Sequence, residues 1–560
     1  MNNKGVFIKY GDIAVGAKEE FVPTSQDKTN FTDFSDLKKD ISFPNYTNPC
    51  ELYSTALDGK DLPLPTDAET ANIGWWSEQL SNEDGVFETP IILTAFANEN
   101  VFTSIGITLV FDTINEIYSN DVKIQWYNGD TLLSEKEFFP NSSNYFCANK
   151  VEFYNKIVVT FYSINMPYNR LKVHGIEYGF GAEFSGKELK NVKIIQELDP
   201  ISKEISINIC DFDLISNRDI EFSFQDRQSV ETYFDGKIKS KTFIKDFERK
   251  SKTQWSIKTE DYIGVMENSY FNGGVYNNKN AKELFEEIFN AANVPFEIDN
   301  SISEIVLSGY IPYTTCREAL MQVAFAAGVV IDTSERFDVG VYMLSNEVKQ
   351  KISLARIFEG QKIKNQTRIT DVEIASHSYS KTDDEKVVYK ASELGTGENI
   401  FVVFSEPLHE LTTEGNGSII ESGDNYAMIN ANSADFVLKG KEYKHTENIT
   451  TKKNPNILLT DTKNVISIKN ATLVSKNNVD NLIEKCYNYF VNSREINSRV
   501  AERKRITSNG IVYDEPIIVG NLIETETQYL GDIKGIVEKV DYNLNGGIIV
   551  KNITVREKHI

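Results

Sequence analysis

The stretch IGITLVFD, residues 105–112, alternates, with Ile105, Ile107, Leu109 and Phe111 on one side and shorter residues between them. A few residues on, DVKIQWYNGD at 121–130 repeats the pattern with Val122, Ile124 and Trp126 and then meets an Asn-Gly turn. A period of two belongs to a strand with one buried face, since a helix would space its apolar residues three and four apart. Outward from this pair, KIVVTFYSI (156–164) and RLKVHGIEYG (170–179) follow at short spacing with no helix between them. Such a run predicts a sandwich or jelly roll that closes near Phe184.

The whole chain is 560 residues, too long for one hydrophobic core, so roughly three to four domains are expected. Hydrophobic residues are 40% and charged residues 25%, the composition of a globular protein, and the aromatic share of 11% together with Asn-rich turn clusters makes β the dominant signal. The formal net charge of −23 repels phosphate backbones and anionic lipid, which argues against nucleic-acid-specific binding. The longest apolar run, VAFAAGVVI at 323–331, is too short to span a bilayer, and MNNKGVFIKYGD lacks an apolar core, so neither a membrane span nor a signal peptide is expected. Cys50, Cys147, Cys210, Cys316 and Cys486 are widely spaced and odd in number, and are read as reduced thiols of a protein made in the cytosol.

Three segments read as helix. Asn280 can cap NAKELFEEIFNAANVP, with Glu283 placed as in a capping box, Leu284, Phe285, Ile288 and Phe289 on one face and Pro295 as the stop. Thr315 and Glu318 repeat the arrangement in TCREALMQVAFAAG, which ends at Gly328. With the strand pair VVID and VGVYML these make one small α+β module. The third helix, NNVDNLIEKCYNYFVNS, lines up Val479, Leu482, Ile483, Cys486, Tyr487 and Phe490.

Catalytic signatures are missing: the chain has no GxSxG, HExxH, GxxxxGK[ST] or GxGxxG. His174, His377, His409, His445 and His559 have no His or Cys neighbour at metal-ligand spacing, so no metal or cofactor is expected. Asp383 and Asp384 have the chemistry of a general acid and base pair, yet in so acidic a chain such pairs arise by chance and read as solvated surface. NEDG at 82–85 lacks the ligand spacing of a calcium loop and is read as a turn.

Two resemblances appear in succession. From Cys50 to Phe184, the early Leu57-Asp58-Gly59, the Trp75-Trp76 segment, SIGITLVFD and the closing Pro167-Tyr168-Asn169-Arg170 resemble a discoidin-like (coagulation-factor type C) jelly roll. Directly after it, LDP at 198–200, FDGKI at 234–238, TCREAL at 315–320 and the C-terminal 517–550 with its LNGG turn resemble the hub protein at the base of phage and phage-like contractile tails. The resemblance implies a mainly β fold: an N-terminal arm (1–49), a discoidin-like jelly roll (50–184), a first tube-like β-barrel (185–277), the α+β module (278–345) and a second hub β-barrel (346–560) that includes the helix 478–492.

It further implies a non-enzymatic homotrimer of a virion or bacteriocin tail, synthesised in the bacterial cytoplasm. Three chains with two barrels each would form a pseudo-sixfold ring. A tail tube protein would lie above, a spike or tip protein below, and baseplate wedge proteins around it. Two alternatives stand beside the hub: a carbohydrate-binding surface adhesin that uses the jelly roll, and a tail-associated cell-wall hydrolase. For either the hub or the adhesin, contacts with a cell-surface glycan or a neighbouring protein would fall on Trp75, Trp76, Tyr145, Phe146 and Tyr168. Adjacent strand residues point to opposite faces, so one tryptophan can be core while its neighbour is exposed. Three roles are left open for the pair, namely jelly-roll core, protein interface and sugar stacking. The carboxylates of SEQLSNEDG next to it disfavour a membrane anchor.

Overall fold

The computed structural model describes residues 5–14, 16–28, 34, 37, 74–112, 115–185, 188–215, 227–234, 237–251, 253–491, 494–501, 504–507, 510–513, 516–543 and 550–558. Cys50, Leu57-Asp58-Gly59, Asp235-Gly236 of the FDGKI hairpin, the LNGG turn and His559 lie outside the described residues. The chain is mainly β and divides into two compact units, residues 9–183 and residues 1–8 with 184–560.

In residues 9–183 two antiparallel sheets enclose one core. The four-stranded sheet runs in the order Trp75–Leu80, Arg170–Glu177, Phe102–Phe111, Asn144–Tyr154. The five-stranded sheet runs Val22–Ser25, Val86–Phe96, Lys156–Ile164, Ser119–Asn128, Thr131–Phe138. Val122, Ile124 and Trp126 point inward as their alternation predicts, and the hairpin that follows them turns on Gly129 at φ 57°. Ile105 is the exception. A register shift between Ser104 and Gly106 breaks the alternation, so Ile107, Leu109 and Phe111 are core residues while Ile105 is only half-buried. Gly106 sits at that bulge because a Cβ there would lie 2.4 Å from the Cys147 carbonyl oxygen. Within the segment read as an arm, Phe21 is buried and stacks on Tyr178 at 4.3 Å, and Val22–Ser25 pairs with Val86–Phe96.

In the other unit one sheet, antiparallel except for the parallel pairing of Val348–Ile352, is spliced from two halves. The first half orders Ser229–Phe234, Lys237–Arg249, Gln254–Glu260, Ile209–Ile215 and Leu189–Glu197. Leu189–Glu197 then pairs, Lys193 opposite Asn543 through Glu197 opposite Lys539, with Gly531–Asn543 of the second half. Val550–Glu557, Arg494–Ala501 and Lys362–Asn365 continue the order, while Leu522–Thr527 pairs with Gly531–Asn543 and Val348–Ile352 with Leu522–Thr527. Strands expected for two barrels thus lie in one continuous sheet.

The α+β module holds the largest core of this unit. The Asn280 side chain accepts from the backbone N–H of Lys282 and caps the helix Ala281–Ala292, a cap worth about 1 kcal/mol. Glu283 does not complete the capping box, because it pairs with Lys279 at 2.9 Å; the helix stops at Asn293, which takes the left-handed conformation two residues before Pro295. Cys316–Ala327 is capped by Thr315 and ends at Gly328 in the same way. Phe296–Ile298 adds a parallel strand beside the Val330–Asp332 and Val339–Tyr342 pair. The helix Val479–Phe490 contributes Val479, Leu482, Ile483 and Cys486 to this core, although sequence grouped it with the second barrel. Lys485 of that helix donates to the Gly328 carbonyl at 2.8 Å, and burial lowers its pKa to about 8.

Between these elements a long hairpin, Asp371–Lys390 against Val437–Lys453, carries a small module at its far end. There Gly397–Val403, Tyr426–Ala431 and Gly417–Ser422 form a three-stranded sheet over a core of residues such as Phe404, Leu408, Ile429 and Phe436.

Candidate functional site

The splice between the two sheet halves holds a cluster of buried charged and polar groups. Gln196, Tyr542 and Lys551 lie on three adjoining strands and Lys239 on the strand Lys237–Arg249 of the same sheet, and each is buried. Glu335, held at φ 53° in the turn between Val330–Asp332 and Val339–Tyr342, reaches this cluster. Its Oε1 accepts from Lys239 Nζ and from the Tyr542 hydroxyl, both at 2.8 Å. Lys551 Nζ lies 4.4 Å over the Tyr542 ring and donates to the Ile517 carbonyl at 3.1 Å. Gln196 Nε2 donates to the Lys239 carbonyl at 2.8 Å, whereas its buried Oε1 accepts no hydrogen bond among the described residues.

Charges this deeply buried are costly to desolvate and persist only with partners, which the Glu335 carboxylate and the Ile517 carbonyl supply. Beside it opens a cleft of about 480 Å³ lined by Asp332, Glu335, Arg336, Tyr342, Lys349 and Asn521. Burial raises the Asp332 carboxyl above its ordinary range, and Tyr342 donates to it at 3.2 Å. Through Glu335 this lining is tied to the strands Lys237–Arg249 and Gly531–Asn543.

The residues singled out from sequence are placed apart from this splice, in the sandwich. Trp75 and Trp76 are 0% and 1% exposed, so neither ring offers a face to a sugar or to another protein in this fold. At these two positions both sides of the Trp75–Leu80 strand are covered, which places both rings in the core, one of the three roles the sequence left open. Trp75 packs into the inter-sheet core and donates its Nε1–H to the Asp27 carbonyl at 3.1 Å, while Trp76 lies under the Lys172 ammonium at 4.9 Å. Tyr145, Phe146 and Tyr168 are half-buried, with Phe146 edge-on to Phe180 at 4.9 Å and Tyr168 at φ 54°.

A feature that sequence reasoning missed is a cleft of about 650 Å³ on the sandwich, in which Asp27, Glu78, Gln79 and Thr89 stand beside the apolar Pro90 and Ile92. The Asp27 carboxylate accepts from the Gln79 backbone N–H at 3.2 Å, and Gln79 Nε2 donates to the Thr89 carbonyl at 3.0 Å. No local signal pointed to it, since its residues come from segments far apart in the chain.

The remaining candidates are structural. Asp383 and Asp384 are exposed, and Asp383 pairs with Lys441 at 3.1 Å. NEDG is an Asx turn in which Asn82 Oδ1 accepts from the backbone N–H of Asp84 and of Val86, each at 2.9 Å. Cys147, Cys210, Cys316 and Cys486 are buried free thiols, and burial pushes Cys210 to about 11 and Cys486 to about 12, far from a reactive thiolate. His377 and His445, distant in sequence, meet with Nδ1 and Nε2 at 2.9 Å. Among the described residues no group of three or more His, Cys, Asp or Glu is arranged to hold a metal, and no helix is long and apolar enough to cross a membrane.

No protein-family model matches the chain, and no curated protein matches it. Solved structures that it resembles include the 43 kDa tail protein of prophage MuSo2 from Shewanella oneidensis, at 11% identity over 66% of this chain and 97% of that chain with a TM-score of 0.41. The tail protein from Neisseria meningitidis MC58 shares 12% identity over 67% of this chain and 94% of that chain, with a TM-score of 0.42. Prophage tail protein gp18 from Listeria monocytogenes EGD-e shares 11% identity over 67% and 91% of the two chains, with a TM-score of 0.38.

Proposed function

We propose that this chain is a structural, non-catalytic hub of a phage tail or tail-like bacteriocin particle, a homotrimer that caps the tail tube and joins it to the spike and baseplate. The observation that carries the reading is the splice. Two β-rich halves, hydrogen-bonded edge to edge from Lys193 opposite Asn543 to Glu197 opposite Lys539, give each chain two successive wall segments of one sheet. Three such chains supply six segments around an axis, the number a hexameric tube presents to its cap.

The ordered series LDP, FDGKI and TCREAL supports the same reading from sequence. So does the edge strand Lys362–Asn365, whose lysines guard against random strand pairing in a chain that must wait for its proper neighbours. The net charge of −23 suits a wall past which DNA slides without sticking.

Immunogold labelling of particles from producing cells, with antibody raised against residues 391–436, tests the proposal. Label is expected at one end of the tail, and loss of the gene is expected to leave no complete tails. Label spread over the cell surface, with normal tails in its absence, would overturn it.

One observation favours a second role for the sandwich, whose discoidin-like identity belongs to the same proposal. The cleft beside Asp27 and Gln79 offers amide, hydroxyl and carboxylate groups of the kind that bind sugar hydroxyls. A glycan array probed with intact chain and with Gln79→Ala is expected to give a signal that the substitution removes. Equal signals from both chains, or none, would end this second role.

A further inference from the structure

The three-stranded sheet at the end of the long hairpin keeps an apolar face in solvent. Its strands turn Ile400, Val402 and Ile419 toward the small core, and their neighbours Phe401, Val403 and Ile420 are 42%, 47% and 48% exposed. Phe401 lies opposite Met428 on the next strand and continues through Tyr313, at 5.6 Å, to Tyr270, which is 58% exposed. From Ala391 to Phe436 every Asp, Glu, Lys or Arg is a carboxylate, from Glu393 to Asp435. Of the carboxylates around this stripe, Glu393, Glu406, Glu410 and Glu414 pair with Lys390, Lys386, Lys441 and Lys439 of the flanking hairpin, and Glu398, Glu421, Asp424 and Asp435 are in no ion pair among the described residues.

Elsewhere in the same unit the reverse combination occurs. Between Lys444 and Lys476 the lysines Lys444, Lys452, Lys453, Lys463, Lys469 and Lys476 are offset only by Glu447 and Asp461. From this basic segment a loop projects Ile457, Leu458 and Leu459, at 40%, 55% and 109% exposure. The loop is built rather than loose. Leu458 donates its backbone N–H to Asp461 Oδ2 at 2.8 Å, Arg368 holds the same oxygen at 3.0 Å, and Asn454 Nδ2 donates to the Ile369 carbonyl at 2.8 Å. A knob fixed in advance loses little conformational freedom on docking.

We propose that the Ile457–Leu459 knob of one copy docks on the Phe401–Val403–Ile420 face of a second copy, with Lys453 and Lys463 set against the carboxylates of that module. The occupant is a second copy because one chain carries both members of a pair complementary in charge and in apolar character. The two surfaces differ, so the contact is head to tail and generates a ring when its rotation closes. It rests on the reading that copies of this chain assemble around an axis, and it names surfaces that meet in that assembly. The apolar knob acts as the anchor and the lysines set register and salt dependence.

Disulfide trapping tests it. Full-length chains bearing Phe401→Cys and Leu459→Cys are made separately, and both positions are exposed, so neither change disturbs a core. When mixed and oxidised they are expected to give a linked dimer that neither chain forms alone. In sedimentation, Leu459→Asp is expected to weaken self-association at least about tenfold. Lys453→Glu with Lys463→Glu is expected to weaken it at low salt and less at high salt.

No cross-link under conditions where the chain self-associates overturns the contact, as does a chain that stays monomeric at about 100 μM. Either failure leaves the hub reading standing if the chain still labels the tail end. A cross-link in a chain absent from tails keeps the contact and removes the hub.

Discussion

The sandwich of residues 9–183 and the three-stranded sheet between Gly397 and Ala431 both have strands with apolar residues, yet they dispose of them differently. The sandwich has a second sheet to close on, so Trp75, Trp126, Phe111 and Phe161 are all fully buried. The small sheet covers one side with its own core and leaves Phe401, Val403 and Ile420 in water on the other. An aromatic residue therefore signals contact with a partner only after the fold has taken what its core needs. In this chain the tryptophans attract attention in the sequence and the plainer phenylalanine, valine and isoleucine are what the fold leaves over.

The contrast is sharpest in stability. Trp75→Ala removes a ring buried between two sheets and is expected to cost about 4 kcal/mol in urea unfolding of the sandwich. Phe401→Ala, in a half-exposed position, is expected to cost less than about 1 kcal/mol. A Phe401→Ala chain that loses as much as Trp75→Ala would make its face part of a core and abolish the difference.

A smaller effect comes from charge. Lys172 and Asp112, each with a fully buried side chain, pair at 3.5 Å in the sandwich, and Asp112 also accepts from the Asn115 backbone N–H at 3.0 Å. Burial opposes ionisation of Asp112, but Lys172 and Asn115 outweigh it and hold the carboxyl below its ordinary range. Lys172→Met strands that carboxylate and is expected to cost about 3 kcal/mol, part of which Asp112→Asn restores in the double variant. Urea midpoints of the single and double variants measure this; additive losses would show that the two charges do not depend on each other.

How much of this was legible beforehand follows the same division. Strand 119–128 and the three helices were readable because a single period fixed their buried face, strand 170–177 was found although both its faces are buried, and the caps at Asn280 and Thr315 follow from local chemistry. The bulge at Ser104–Gly106 was not, since it depends on how the partner strand approaches. Nor was the nested module at 391–436, which interrupts the larger unit with short strands of weak alternation. The splice cluster depends on Glu335 meeting Lys239 and Tyr542, residues separated by 96 and 207 positions, and no local pattern encodes that. The period-two rule left the role of the two tryptophans open because it orients a side chain without saying what covers each face.

The smallest effect concerns acid, and it distinguishes the hairpin that carries the acidic module from the sandwich. His377 Nε2 lies 3.0 Å from the Lys469 carbonyl, which only accepts, so that nitrogen carries the proton and Nδ1 must accept from His445 Nε2–H. Burial, then the neighbouring His445, lowers the His377 pKa below its ordinary 6.5. The unfolded chain therefore binds the extra proton first. The contribution is complete above pH 6.5 and is lost as pH falls through 6.5 toward the lowered value. His174 in the sandwich obeys the same sign over a window that reaches about 4, its burial outweighing the attraction of Asp112. Histidine ring resonances followed by NMR between pH 7.5 and 4 should show His174 titrating last and His377 before it, with a stability loss at the hairpin of about 1 kcal/mol or less. His445→Gln keeps a donor for Nδ1 and removes the second titrating ring, so it should raise the His377 pKa. If His377 titrates at or above 6.5 in the intact chain, the hydrogen bond to His445 does not hold it neutral, and the base of the hairpin is as open to water as the face at its tip.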